Sequence, residues 1–272
     1  MTKKPLQAIV SSRKKVSEMK KLYQKDEVTF SLVWIGLYVV MMNIALQFSG
    51  GFDHLEEKTA LQILPAALCA LALAAAATVW IVRSGLAEKY GLCRFKGRRK
   101  GFLWFIPLAL MSCINLKNGL TLNAPLAVSV LMTVNIAVSG YVEEIIFRGF
   151  LFRGMAKIHL RSAVIVSAVT FGAGHIVNLA NTADTAGVLL QVCYAIAIGF
   201  LYTAIVYKGA SLWPCIISHM FVDATSVFAR EKGPFSMLTE ILFGSAGLTD
   251  IFSAALIILI SGSYALWLWK KA

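Results

Sequence analysis

A small set of ionisable side chains sits inside long apolar runs of this chain, where charge is hard to keep. They are Glu143, Glu144 and Arg148 in one run, His175 in the next, and His219 with Asp223 in a later one. An ionisable group inside a membrane span costs from about 2.5 to over 10 kcal/mol depending on the scale, and such groups usually mark a pathway or a site. Carboxylates and imidazoles together can move protons, activate water and meet a developing negative charge, which are the needs of amide hydrolysis.

Helix geometry orders these groups. Glu144 and Arg148 are four residues apart, share a face and can neutralise each other as an ion pair. Glu143 lies about 100° around the helix from Glu144 and off that face. Glu144 is therefore assigned to structure and Glu143 to chemistry. His219 and Asp223 are also four apart, as are Phe171 and His175. Taken singly, each histidine reads as an interhelical hydrogen-bonding group, Asp223 as an orienting partner of His219, and Phe171 as a packing wall. Together, unpaired polar groups on three spans cost too much to be decoration and point to a functional centre.

The elements that must position them are membrane spans. Of 272 residues 58% are hydrophobic and 15% charged, and the mean hydropathy of +0.72 excludes an ordinary soluble domain. Apolar runs are expected to span at 28–49, 59–82, 101–116 (short), 124–152, 161–180, 186–207, 211–228 and 248–269. The expected fold is thus all-α, a polytopic membrane protein of about eight transmembrane helices around an intramembrane cavity. A basic arm, 1–27, precedes a single transmembrane domain, 28–272. The first run, at 22 residues, is too long for the apolar part of a cleaved signal peptide, about 7 to 15 residues.

Charge sets the expected topology. The net charge is +12, and 15 of the 26 basic residues lie in the arm and in the loop from Arg83 to Lys100. Basic short loops mark the cytoplasmic side, so both termini are expected there, with anionic lipid at the arm and loop. No nucleic-acid partner is expected, because no aromatic-interleaved basic motif accompanies the charge. Five scattered cysteines form no CxxC pair and suggest neither disulfides nor a thiolate metal site.

The motifs in order are Glu143-Glu144-Ile-Ile-Phe-Arg148 (EExxxR), Phe171-Gly-Ala-Gly-His175 (FxxxH) and His219-Met-Phe-Val-Asp223 (HxxxN/D). This triple, within 139–223, resembles the CPBP family, also called Abi, of CAAX prenyl protease type 2 and bacteriocin-processing intramembrane proteases. The resemblance implies a metal-independent glutamic endopeptidase with Glu143, His175, His219 and Asp223 catalytic, Glu144, Arg148 and Phe171 in support, and no cofactor. The implied substrate is a membrane-associated, lipidated or amphipathic peptide, in a prokaryotic cell membrane. Glu143 lies nine residues before the cytoplasmic end of its span, which suggests access from that side. A zinc site is the competing chemistry, since two histidines and two carboxylates suit that ion, but there is no HExxH helix. The competing function is a non-proteolytic bacteriocin-immunity or regulatory protein of the same fold.

Overall fold

The computed structural model describes residues 18–96, 105–244 and 248–270. Most of the basic arm therefore lies outside the described residues. Its end, residues 18–25, is helical, and Tyr23 packs edge-on against Phe30 and Trp80 at ring separations of 5.5 and 5.2 Å.

Nine helices carry the rest of the described chain: α1 (Glu27–Phe48), α2 (Ala60–Arg83), α3 (Phe105–Ser112), α4 (Leu126–Glu143), α5 (Leu160–Gly174), α6 (Thr185–Gly209), α7 (Trp213–Ser226), α8 (Pro234–Phe243) and α9 (Leu248–Lys270). The rod begun by α4 continues as a wider π-helical stretch, Glu144–Phe152, and a last turn, Arg153–Ala156. A 3-10 stretch, His175–Ala180, extends α5. Local chemistry sets several starts. The Asp26 carboxylate accepts the Val28 N–H ahead of α1, the Gln62 amide oxygen accepts the Thr59 N–H ahead of α2, and Asp184 accepts the Gly187 N–H ahead of α6.

Six of these rods are long and apolar enough to cross a membrane, among the described residues. The all-α membrane class holds, and two of the eight expected runs form shorter helices among the described residues. The third run forms a helix of only 8 residues within the described part, and the seventh a helix of 14 residues. Apolar content does not say where a helix starts and stops. Ala210 adopts a left-handed conformation (φ 57°) that ends α6, and Pro214 then opens α7. At the far end of α7 the Asn123 amide takes the carbonyls of Val227 and Ala229, drawing the chain out of helix.

Burial of apolar surface from water does not drive helices together in lipid, so close approach and polar contacts matter more. At the crossing of α5 and α6, a Cβ on Gly172 would lie 2.3 Å from Ile196, and one on Gly199 would lie 2.9 Å from the Ala168 backbone. Only glycine lets these backbones meet.

The bundle has two distinct ends. At one, the Arg153 guanidinium donates to the carbonyls of Lys89 and Ala210, and Lys89 and Lys157 both pair with Glu27. Phe30, Trp34, Trp80, Tyr90 and Phe150 fill the interior there, with ring centroids as close as 4.6 Å (Phe30–Trp80) and 4.8 Å (Tyr90–Phe150). At the other end the loop after α1 is tied to the segment after α5. Asp53 accepts the Thr182 hydroxyl at 2.6 Å and the Ala183 N–H at 2.7 Å. These two donors hold the Asp53 carboxyl below the usual carboxylate range.

Candidate active site

A cavity of about 870 Å³ opens in the bundle, and Glu143, His175, His219 and Asp223 all line it. Glu143 ends the α-helical part of α4 and its side chain is 14% exposed, whereas the next residue, Glu144, is fully buried. The two adjacent carboxylates thus meet different surroundings, one facing the cavity and the other packed in the protein.

The Glu144 carboxylate anchors two partners through one oxygen. Arg148 Nη1 lies 3.0 Å from Oε1, and His219 Nδ1 lies 3.0 Å from the same atom. Both side chains of the Glu144–Arg148 pair are fully buried. The guanidinium carbon sits 3.9 Å from the centroid of the Phe171 ring and 5.5 Å from that of Tyr202, so aromatic faces meet the cation. Nε and Nη2 of Arg148 find no hydrogen-bond acceptor among the described residues. The wider turn of the π-helical stretch lies across these residues, and the Phe147 carbonyl within it accepts the Ser167 hydroxyl of α5 at 2.9 Å. Such stretches are rare and occur often at functional sites.

His219 stands between three carboxylates. With Nδ1 on Glu144, Nε2 turns toward the cavity, 3.7 Å from Glu143 Oε2 and 3.6 Å from Asp223 Oδ2. Its ring packs edge-on to Phe171 at 5.7 Å and to Tyr202 at 6.1 Å. The approach of α7 to α4 needs Gly140, where a Cβ would lie 2.8 Å from Asp223 Oδ2 and 3.2 Å from the His219 ring. His175 is brought to the same cavity by the end of α5, edge-on to Phe171 at 5.1 Å.

Sequence patterns alone do not find Tyr38. This α1 residue donates its hydroxyl to Glu143 Oε1 at 2.5 Å and is 8% exposed. Nothing in the sequence separates it from other aromatics of its span. Ser218 is also without a sequence signal, yet its hydroxyl links Tyr202 at 2.8 Å to Ser112 at 2.6 Å, one residue before His219.

The donor atoms of Glu143, His175, His219 and Asp223 do not all converge within 4.8 Å, a separation met among the described residues by His54, Glu56 and Glu57 on an exposed loop. The cavity runs away from the basic end, where the aromatic cluster fills the interior, toward Phe52, Leu55, Asn181 and Asp184 at the opposite end.

Residues 125–225 match the family model described as Rce1-like, type II CAAX prenyl endopeptidase. The Rce1-like segment contains all three motifs and the helices α4 to α7 that carry them. It leaves out α1, the source of Tyr38, and α9. The six apolar rods are those of an integral membrane protein, and over residues 125–225, 101 of its 272, the chain is similar to a protease family. Among curated proteins no match is found.

Proposed function

We propose that the chain is an intramembrane endopeptidase in which Glu143 activates water against a peptide bond. The observation that carries this reading is the Glu143–His219 pair on the wall of a roomy cavity, Oε2 to Nε2 at 3.7 Å.

In this reaction Glu143 takes a proton from water as its oxygen bonds to the amide carbon, and the carbonyl electrons move onto oxygen. His219, carrying a proton on Nε2, donates to that oxyanion. The tetrahedral intermediate collapses with cleavage of the C–N bond, and Glu143 or His175 delivers the proton to the leaving amine. General-base help contributes about 10²- to 10⁴-fold, and one oxyanion donor about 10²- to 10³-fold.

Tyr38 occupies one oxygen of Glu143 and leaves the other facing His219. Glu144, fixed by Arg148, holds the His219 ring by Nδ1. That frees Asp223 from the task of orienting the ring through Nδ1. Its place beside Nε2 suits it to balance the charge of a doubly protonated imidazole. The absence of an HExxH helix supports a reaction with no metal. Activity is then retained after chelation, whereas stoichiometric zinc in purified protein contradicts this part of the reading.

The substrate class is a membrane-associated, lipidated or amphipathic peptide, and the basic end of the bundle faces anionic lipid headgroups on the cytoplasmic side. The test compares membrane peptides from cells making the wild-type chain and Glu143→Ala. Products that vanish with the carboxylate name the bond cut; identical peptide sets refute the reading.

A further inference from the structure

Amide and hydroxyl side chains on the wall of the cavity differ in what they hold. Asn43, Asn115 and Asn178 each spend the amide nitrogen on another element: on the Val177 carbonyl at 3.3 Å, the Val222 carbonyl at 2.7 Å and the Gln191 amide oxygen at 3.0 Å. Such bonds tie helices together in lipid. Asn135 of α4 and Tyr194 of α6 line the same wall and tie no elements among the described residues.

Asn135 is 1% exposed and its Oδ1 meets no donor among the described residues. Its Nδ2 has only the Met132 sulfur of its own helix, at 3.7 Å. A thioether is a weak acceptor, and a buried amide oxygen without a donor is costly to keep. The broad terminal torsion of asparagine lets the amide plane turn toward a molecule in the cavity without a shift of α4. Tyr194 is part exposed, and its hydroxyl likewise meets no hydrogen-bond partner among the described residues. Its ring packs on the main core, a task phenylalanine would perform equally, so packing leaves the hydroxyl unused.

One unpaired acceptor and one unpaired donor are what a peptide backbone needs for its N–H and C=O, whatever side chains the peptide carries. Their place suits such a ligand. Asn135 precedes Glu143 on α4 by two turns, about 12 Å, with Ser139 between them on the same wall. An extended chain rises about 3.3 Å per residue, so a peptide whose reacting bond lies at Glu143 reaches Asn135 within about three or four residues. We infer that Asn135 and Tyr194 form a backbone-binding subsite, Asn135 accepting an N–H and Tyr194 donating to a C=O of an extended peptide held in the cavity. The inference rests on the peptidase reading for the reaction that follows, but binding is measured without turnover.

The test is binding of two fluorophore-labelled probes to the full chain carrying Glu143→Gln in nanodiscs, with empty nanodiscs as the blank. One probe is a nonapeptide of alternating leucine and alanine. The other is the matching depsipeptide, in which ester oxygens replace the backbone N–H groups and the carbonyls remain. Asn135→Leu is expected to weaken binding of the nonapeptide about tenfold and of the depsipeptide less than about twofold, while Tyr194→Phe weakens both at least about threefold. Melting temperatures are expected to stay unchanged, since neither side chain ties the bundle; Asn135→Ala gives the same comparison if the leucine variant does not fold. Equal weakening of both probes by the Asn135 substitution, unchanged affinity on either substitution, or no specific binding of the nonapeptide overturns the inference. Failure of the peptidase reading shows separately, as membrane peptides that do not change with Glu143→Ala while this binding pattern holds.

Discussion

His219 Nδ1 and Arg148 Nη1 share one oxygen of Glu144, each at 3.0 Å. The carboxylate that neutralises the buried cation is also the one that sets the imidazole, so stability and site geometry depend on one side chain. Removing one partner of a buried pair costs about 3–5 kcal/mol, whereas replacing both by apolar groups is often neutral or stabilising. Glu144→Ala is expected to lower the melting temperature of the detergent-solubilised protein sharply. The double variant Glu144→Met, Arg148→Met is expected to recover much of that loss and to stay inactive. A double variant with wild-type cleavage contradicts the role given to Glu144.

Tyr38→Phe removes the donor to Glu143 Oε1 but keeps the ring. The expected loss is about 10- to 100-fold in kcat with KM little changed, on the scale of one charge-assisted hydrogen bond of about 1.5–3 kcal/mol. Unchanged kcat removes Tyr38 from the site.

Asp223→Asn and Asp223→Ala separate charge from shape at His219 Nε2. If Asp223 balances an imidazolium, both variants lose activity. Full activity in the alanine variant takes Asp223 out of the mechanism.

Gly140→Ala places a methyl 2.8 Å from Asp223 Oδ2 and 3.2 Å from the His219 ring. Overpacking of this kind costs about 1–3 kcal/mol. Because the ring is held by Glu144, the expected response is a displaced α7 and cleavage reduced by more than tenfold at a modest loss of melting temperature. An alanine variant with wild-type rates shows that the approach of α4 to α7 has slack.

The contrast between what was legible and what was not follows from range. Spacing of four residues brings Glu144 to Arg148 and His219 to Asp223, because those neighbours are set by the pitch of one helix. Apolar length finds the six long rods. Contacts between rods follow no such local rule: Tyr38 reaches Glu143 across 105 residues, and His219 reaches Glu144 across 75. The π-helical widening after Glu143 has no sequence signature, and neither does the ring cluster that turns the cavity away from the basic end. The seventh run forms a shorter helix than its apolar length suggests, because Ala210, Pro214 and Asn123 bound that helix without making the run less apolar.

The central claim is that the Glu143 carboxylate drives peptide hydrolysis. Its most direct test is the rate of cleavage of an identified membrane peptide by the protein reconstituted in lipid vesicles, wild type against Glu143→Gln. The amide keeps size and hydrogen bonding but cannot take a proton from water, so the account predicts a fall of at least about 10²-fold at unchanged melting temperature. Cleavage by Glu143→Gln at the wild-type rate would contradict it.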